Sequence, residues 1–158
     1  MNRKQYSYFQ GRQTEEKFVR TMKANGLEVT KSTRSEDIKQ HIDYWLHLPV
    51  FNSRFSVDVK GNRHLDCIWL ELKNVRGNKG WLDCCSNYIV LDIAELGGFC
   101  FFDRTRLLNF AQQFKEVAKN KTEFYKLYTR KGRKDVLVKV RYEDIKHIEA
   151  FFYSYDNF

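Results

Sequence analysis

Alternation governs the middle of the chain. In residues 55–60, Phe55, Val57 and Val59 alternate with Ser56, Asp58 and Lys60, the period of a half-buried strand. Further strand-like runs occupy residues 67–75 (CIWLELKNV), 87–94 (NYIVLDIA), 98–103 (GFCFFD) and 135–142 (DVLVKVRY). Residues 41–51 (HIDYWLHLPVF) read as another strand that ends near the single proline, Pro49. Two segments keep helical spacing instead. Residues 12–25 place Phe18, Val19 and Met22 on one face, with Thr14 as a candidate cap and Gly26 as a stop. Residues 104–120 align Leu107, Leu108, Phe110, Ala111 and Phe114. Residues 27–35 (LEVTKSTRS) look extended or loop-like, Gly61-Asn62 looks like a turn, and residues 142–154 (YEDIKHIEAFFYS) follow the last strand. The order predicts an α/β fold. A single domain over residues 1–158 would hold one central mixed β-sheet flanked by helices.

Within residues 55–74 an acid, one spacer and a lysine occur twice, as Asp58-Val59-Lys60 and Glu71-Leu72-Lys73. Alternate residues of a strand share a face, so each triplet presents a carboxylate beside an ammonium. An exposed pair of this kind contributes only about 0–1 kcal/mol. An acid among β-formers, by contrast, costs desolvation energy unless it is paired or bound to a cation. Asp58, between Val57 and Val59, and Asp43, between Ile42 and Tyr44, are both acids of that sort. Metal-assisted phosphodiester hydrolysis needs a cation to offset phosphate charge, an oriented water and a stabilised leaving oxygen. Two converging acids and a lysine on rigid strands are the least a protein must supply. Asp43, Asp58 and Lys60 meet that need, and Asp58 with Glu71 and Lys73 is a workable second set.

Charge narrows the partner. Lys and Arg number 28 against 20 Asp and Glu, a formal net charge of +8, which favours a polyanion. Two basic segments stand out. Residues 73–82 carry Lys73, Arg76, Lys79 and Trp81 around two glycines, and residues 128–135 (YTRKGRKD) carry Arg130, Lys131, Arg133 and Lys134 as a candidate hairpin tip. Trp81 would either stack on a base or hold its loop in the core. The loop is not a phosphate-binding Walker loop, because the glycine and lysine spacing is wrong. Cys67, Cys84, Cys85 and Cys100 form no CxxC pair and read as reduced, mostly core cysteines. His41, His47, His64 and His147 lack metal-ligand spacing. No apolar run reaches the ~20 residues of a bilayer span, and residues 1–13 contain no apolar signal segment. A cytoplasmic protein without membrane contact is expected.

With these residues in view, the chain resembles the PD-(D/E)XK nuclease superfamily, in particular its resolvase-like branch. Gly11-x-x-x-Glu15 followed by Phe18 is similar to the helix signature of archaeal Holliday-junction resolvases. Asp43 matches the lone strand acid, and Asp58-x-Lys60 matches the acid-x-lysine motif. Residues 69–82 (WLELKNVRGNKGWL) resemble a segment of phage-encoded members. The resemblance covers roughly the first 90 residues and departs at Ile42, where the pattern has proline. It implies a restriction-endonuclease-like core and a Mg²⁺- or Mn²⁺-dependent endodeoxyribonuclease. Asp43, Asp58 and the Val59 carbonyl would hold the cation, Lys60 would position the water, and Glu15 would be an accessory acid, with Glu16 as its neighbouring rival. DNA is the implied substrate, with RNA a second candidate. A host-cell cytoplasm, if the protein is viral, and a homodimer follow by the same analogy. The other classes in view are a catalytically inactive nucleic-acid-binding module and a viral protein-interaction factor on the same fold.

Overall fold

A computed structural model describes residues 2–155, apart from the side chain of Asn62. Six strands form a mixed sheet in the order β1-β2-β3-β5-β6-β9: β1 (Glu28–Lys31), β2 (Tyr44–Leu48), β3 (Ser53–Arg63), β5 (Tyr88–Ile93), β6 (Gly98–Asp103) and β9 (Glu149–Ser154). All neighbours are antiparallel except β3 and β5, which run parallel at the centre. A parallel pair needs a long crossover. Here the crossover contains β4 (Ile68–Lys73) and a short turn of 3-10 helix over Trp81–Asp83.

The fold class is the expected mixed α/β one, but the strands do not share one sheet. β4 pairs with β8 (Val136–Val140), which pairs with β7 (Leu127–Tyr128), to give a separate three-stranded sheet. Alternation along residues 67–75 shows that a strand exists and not which strand it joins. Tertiary packing decides that. Ile68, Leu70, Val138 and Val140 of the second sheet bury against Ile89, Leu91, Cys100 and Phe102 of the first, together with Leu107 and Ala111 of α3 (Arg104–Gln112). On the other face of the main sheet, Val57, Val90, Phe99 and Phe101 pack under Phe18 and Met22 of α1 (Arg3–Ala24).

Several local expectations change. α1 begins at Arg3, not near residue 12, because Asn2 and Gln5 form a reciprocal cap (2.9 and 3.0 Å) ahead of a polar first stretch without apolar period. Thr14 is therefore a buried mid-helix residue and not a cap. Residues 34–40 form α2 (Arg34–Gln40), started by a Thr33–Glu36 capping box at the end of the stretch 27–35 that looked extended or loop-like. α3 stops at Gln112, since residues 116–118 extend to bond Leu127 instead, Ala118 N–H to its carbonyl at 2.8 Å. The residues beyond Val140 form α4 (Tyr142–Ile145) and then β9. Nor does the chain turn at Gly61-Asn62, because β3 continues to Arg63 through a register shift. Of the cysteines only Cys100 is buried; Cys85 is exposed and all four are free.

Two features seat α1 on the sheet. Asp92 of β5, 4% exposed, accepts from Lys17 Nζ at 2.9 Å and from the Tyr155 hydroxyl, so this buried acid is matched on both oxygens. Thr14 crosses β3 at Gly61, where a Cβ would lie 2.4 Å from Thr14 Oγ1. Gly61→Ala should thus lower stability by about 1–3 kcal/mol in chemical denaturation, and adding Thr14→Ala should recover much of the loss.

Candidate active site at the open edge of the third strand

β2 accompanies β3 only part of the way. Their register runs from Leu48↔Ser53 to Tyr44↔Val57. One residue earlier, Asp43 still joins the ladder by donating its N–H to the Val57 carbonyl at 2.8 Å, and its carbonyl accepts from Ser32 N–H at 3.0 Å. Before it, Ile42 is buried where the resembling pattern has proline, and His41 adopts a left-handed conformation (φ 50°) that leads back into α2. Beyond Val57, β3 keeps β5 as its neighbour but has lost β2. The Asp43 side chain fills the place: its Oδ2 accepts the Val59 N–H at 2.7 Å.

That bond brings Asp43 alongside Asp58. Asp58 is 1% exposed, and its Oδ1 accepts from Lys60 Nζ at 2.8 Å. Its Oδ2 is buried and receives no hydrogen bond. Burial pushes the Asp58 carboxyl up to about 8; Lys60 opposes the rise and the neighbouring Asp43 charge adds to it. Below that value Asp58 keeps a proton that bonds it to Asp43; with both acids ionised that proton is gone and Oδ2 is unmatched. An acid pair with an orphaned buried oxygen is a good fit to a small, hard divalent cation, which prefers carboxylate and carbonyl oxygens. Among the described residues no group of three or more His, Cys, Asp or Glu side chains could hold a metal, so side-chain carboxylates would supply two ligands here.

The second triplet approaches from the other sheet. Gly80 passes so close to β4 that a Cβ there would lie 2.5 Å from the Glu71 carbonyl oxygen, and Glu71 Oε1 accepts the Trp81 N–H at 3.3 Å. Trp81, 8% exposed, lies under Lys60, whose Nζ is 5.4 Å from its ring centroid. His41 joins this group: burial, then the Lys60 charge, lowers its pKa, while Glu71, Asp43 and Asp37 pull it upward. Arg63, largely buried, likewise feels Asp58. Neither His41 nor Arg63 carries a motif; the one available signal was that His41 stands two residues before Asp43.

Glu15 is not brought to this group. It accepts from Tyr44 Oη at 2.9 Å and Lys31 Nζ at 3.0 Å beside α1, whereas Asp58 and Lys60 alternate with Val57 and Val59 and so face away from that helix. Glu16 pairs with Arg12 at 3.7 Å. The two basic segments, far apart in sequence, do meet. Lys134 N–H donates to the Val75 carbonyl at 3.2 Å, and Lys73 sits opposite Val136. Lys73, Arg76, Lys79, Lys131, Arg133 and Lys134 are all exposed along this end of the second sheet. Residues 129–135 do form a hairpin tip between β7 and β8, with Arg130 held by the buried Asp135 at 2.5 Å.

No protein-family model and no curated protein sequence matches the chain. Among solved structures, a bacterial homing endonuclease overlays on 65% of this chain and 72% of its own, with 14% identity and a TM-score of 0.46. A likeness of that size does not decide the function. No helix of the described residues is long and apolar enough to cross a membrane.

A carboxyl whose folded pKa lies above its unfolded one binds a proton on folding. The Asp58 contribution to stability is therefore complete below its ordinary value of 3.8 and is lost as pH rises through about 8. Melting curves in EDTA should show wild-type stability falling across that window relative to Asp58→Asn, and parallel curves for the two proteins would contradict this account.

Proposed function

We propose that this protein is a divalent-cation-dependent endonuclease that hydrolyses DNA phosphodiester bonds. The observation that carries the reading is the convergence of Asp43 and Asp58 at one open strand edge, with a buried, unmatched Asp58 Oδ2 and Lys60 at 2.8 Å. Asp43, Asp58 and the Val59 carbonyl would hold Mg²⁺ or Mn²⁺, which when bound supplies positive charge to the phosphate and acidifies a water. On an extended strand the N–H and C=O of one residue point to the same side, so the Val59 carbonyl shares the edge that Asp43 occupies. Lys60 places an ammonium at that edge, held between Asp58 and the Trp81 ring. It keeps Asp58 oriented and offers donors to a water or to a phosphoryl oxygen as charge builds there. The exposed cations of residues 73–79 and 131–134 hold the backbone by charge and leave base identity unread.

This arrangement favours Asp58-x-Lys60 over Glu71-x-Lys73 as the reacting triplet. Asp58 has a second acid beside it and an unmatched oxygen, whereas Glu71 is occupied by the Trp81 N–H. Glu15, tied to Tyr44 and Lys31, serves α1 and not the reaction. The finer features suggested by the sequence belong to the same proposal: a PD-(D/E)XK-type enzyme, resolvase-like and phage-type, acting as a homodimer on DNA in the host cytoplasm.

Nicking of supercoiled plasmid tests the reading. Cleavage should require Mg²⁺ or Mn²⁺ and stop in EDTA. Asp43→Asn, Asp58→Asn and Lys60→Ala should each slow it by about 100-fold or more, while Glu71→Gln should stay within about tenfold of wild type. DNA binding that survives in EDTA with no cutting under any cation would make the protein a binding module. The reverse ranking of Asp58→Asn and Glu71→Gln would move the chemistry to the second triplet.

A further inference from the structure

On the face of the second sheet turned away from the shared core, where Arg63 and Trp81 come alongside it, lies a cleft of about 380 Å³ whose walls include Trp69, Trp81, Tyr128, Arg63, Arg130 and Glu71. Its composition is unlike that of an ordinary core void. Trp69 and Tyr128 stand 5.7 Å apart at 39° to one another and form an aromatic side. Trp81, its backbone N–H held by Glu71, forms another, and the same ring lies under Lys60, so one indole adjoins both the cleft and Lys60. Two arginines of the wall are already positioned. Arg130 is clamped by Asp135, which accepts from its backbone N–H at 3.0 Å and its Nε at 2.5 Å. Arg63 donates from one terminal nitrogen to the Gly61 carbonyl at 2.8 Å, while its buried Nε has no partner.

A purely apolar occupant would offer nothing to the guanidinium donors that Asp135 and Gly61 do not take, nor to the Glu71 oxygen that Trp81 does not take, which is unfavourable in a confined space. An inorganic anion would answer the arginines and leave the aromatic walls unused. A ligand with a flat ring, amino or ring N–H donors and a phosphate answers all of them, and sequence-tolerant stacking on aromatic side chains is how proteins hold single nucleotides of a strand.

We propose that this cleft receives one unpaired nucleotide of a nucleic-acid strand, its base among Trp69, Trp81 and Tyr128, its amino group toward Glu71 and its phosphate toward Arg63 and Arg130. The proposal rests on the nuclease reading only for the source of the nucleotide. With Trp81 adjoining both the cleft and Lys60, a strand whose base is drawn out in this way has its backbone led toward Asp43, Asp58 and Lys60. The cleft thereby selects single-stranded, flapped or otherwise unstacked DNA, for which extruding a base is least unfavourable.

Tryptophan emission of the full chain in EDTA reports occupancy without any cutting. A single-stranded oligonucleotide and a nucleoside monophosphate should both quench it, and ribose 5-phosphate, which lacks the base, should not. Tyr128→Leu, which keeps apolar volume in the wall, should weaken the oligonucleotide about tenfold, the usual effect of losing one stacking partner, with an unchanged melting curve. Trp69→Phe should retain binding with a reduced change in emission. Nicking of plasmid in Mg²⁺ without any quenching in EDTA overturns the cleft and leaves the nuclease standing. Quenching without nicking supports the cleft and removes the hydrolysis. Equal quenching by ribose 5-phosphate, or affinity unmoved by Tyr128→Leu, overturns base binding, and quenching by the mononucleotide alone overturns the strand as its source.

Discussion

The Val59 N–H has lost its strand neighbour, and the carboxylate of Asp43 takes it at 2.7 Å. A buried backbone donor without a partner is destabilising, so the strand edge demands an acceptor at this point. By supplying it from a side chain and not from a longer β2, the fold sets a negative charge against a second buried acid. The path into that position is specific: α2 ends, His41 turns at φ 50°, Ile42 buries, and Asp43 keeps its backbone in the ladder while its side chain reaches past the end of it. Shift the chain by one residue and the carboxylate would point to the α1 face.

Two buried aspartates on neighbouring strands show what distinguishes support from chemistry here. Asp92 on β5 is matched by Lys17 and Tyr155 and fastens α1 to the sheet. Asp58 on β3 is matched on one oxygen by Lys60 and left unmatched on the other. Both are nearly inaccessible, at 4% and 1% exposure, so burial alone does not separate them. The difference is in partners. Asp92 has a full set; Asp58 has an ammonium on one side and a like charge on the other, an arrangement that a divalent cation relieves.

The second sheet converts this edge into an enclosed site. Its β4 brings Glu71, and the loop that follows brings Trp81 under Lys60, with Gly80 permitting the close approach. The same sheet gathers Lys73, Arg76 and Lys79 with the hairpin cations, so charge that looked like two separate runs becomes one surface beside the acids.

Much of this was readable in advance. Alternation located β3, β4, β5, β6 and β8 near their observed places, and desolvation reasoning singled out Asp43 and Asp58 before any geometry was known. The same residues cannot say which strands pair, because a half-buried strand has the same period in either sheet; hence one sheet was expected and β4 is found beside β8 in a second one. The capping box of α2, Thr33-x-x-Glu36, is a local signal carried by the sequence itself. Glu15 is a sharper case, since its helix was expected and its face was not: which side of a sheet a helix covers depends on the apolar residues of every strand at once, here Val57, Val90, Phe99 and Phe101 against Phe18. Residue identity and local period, then, determined the strands, the acids and the lysine. Only the tertiary structure decided that Asp43 and Asp58 adjoin, that Glu15 lies elsewhere and that Arg63 and His41 join them, because contacts between distant residues depend on long-range packing that no local window contains.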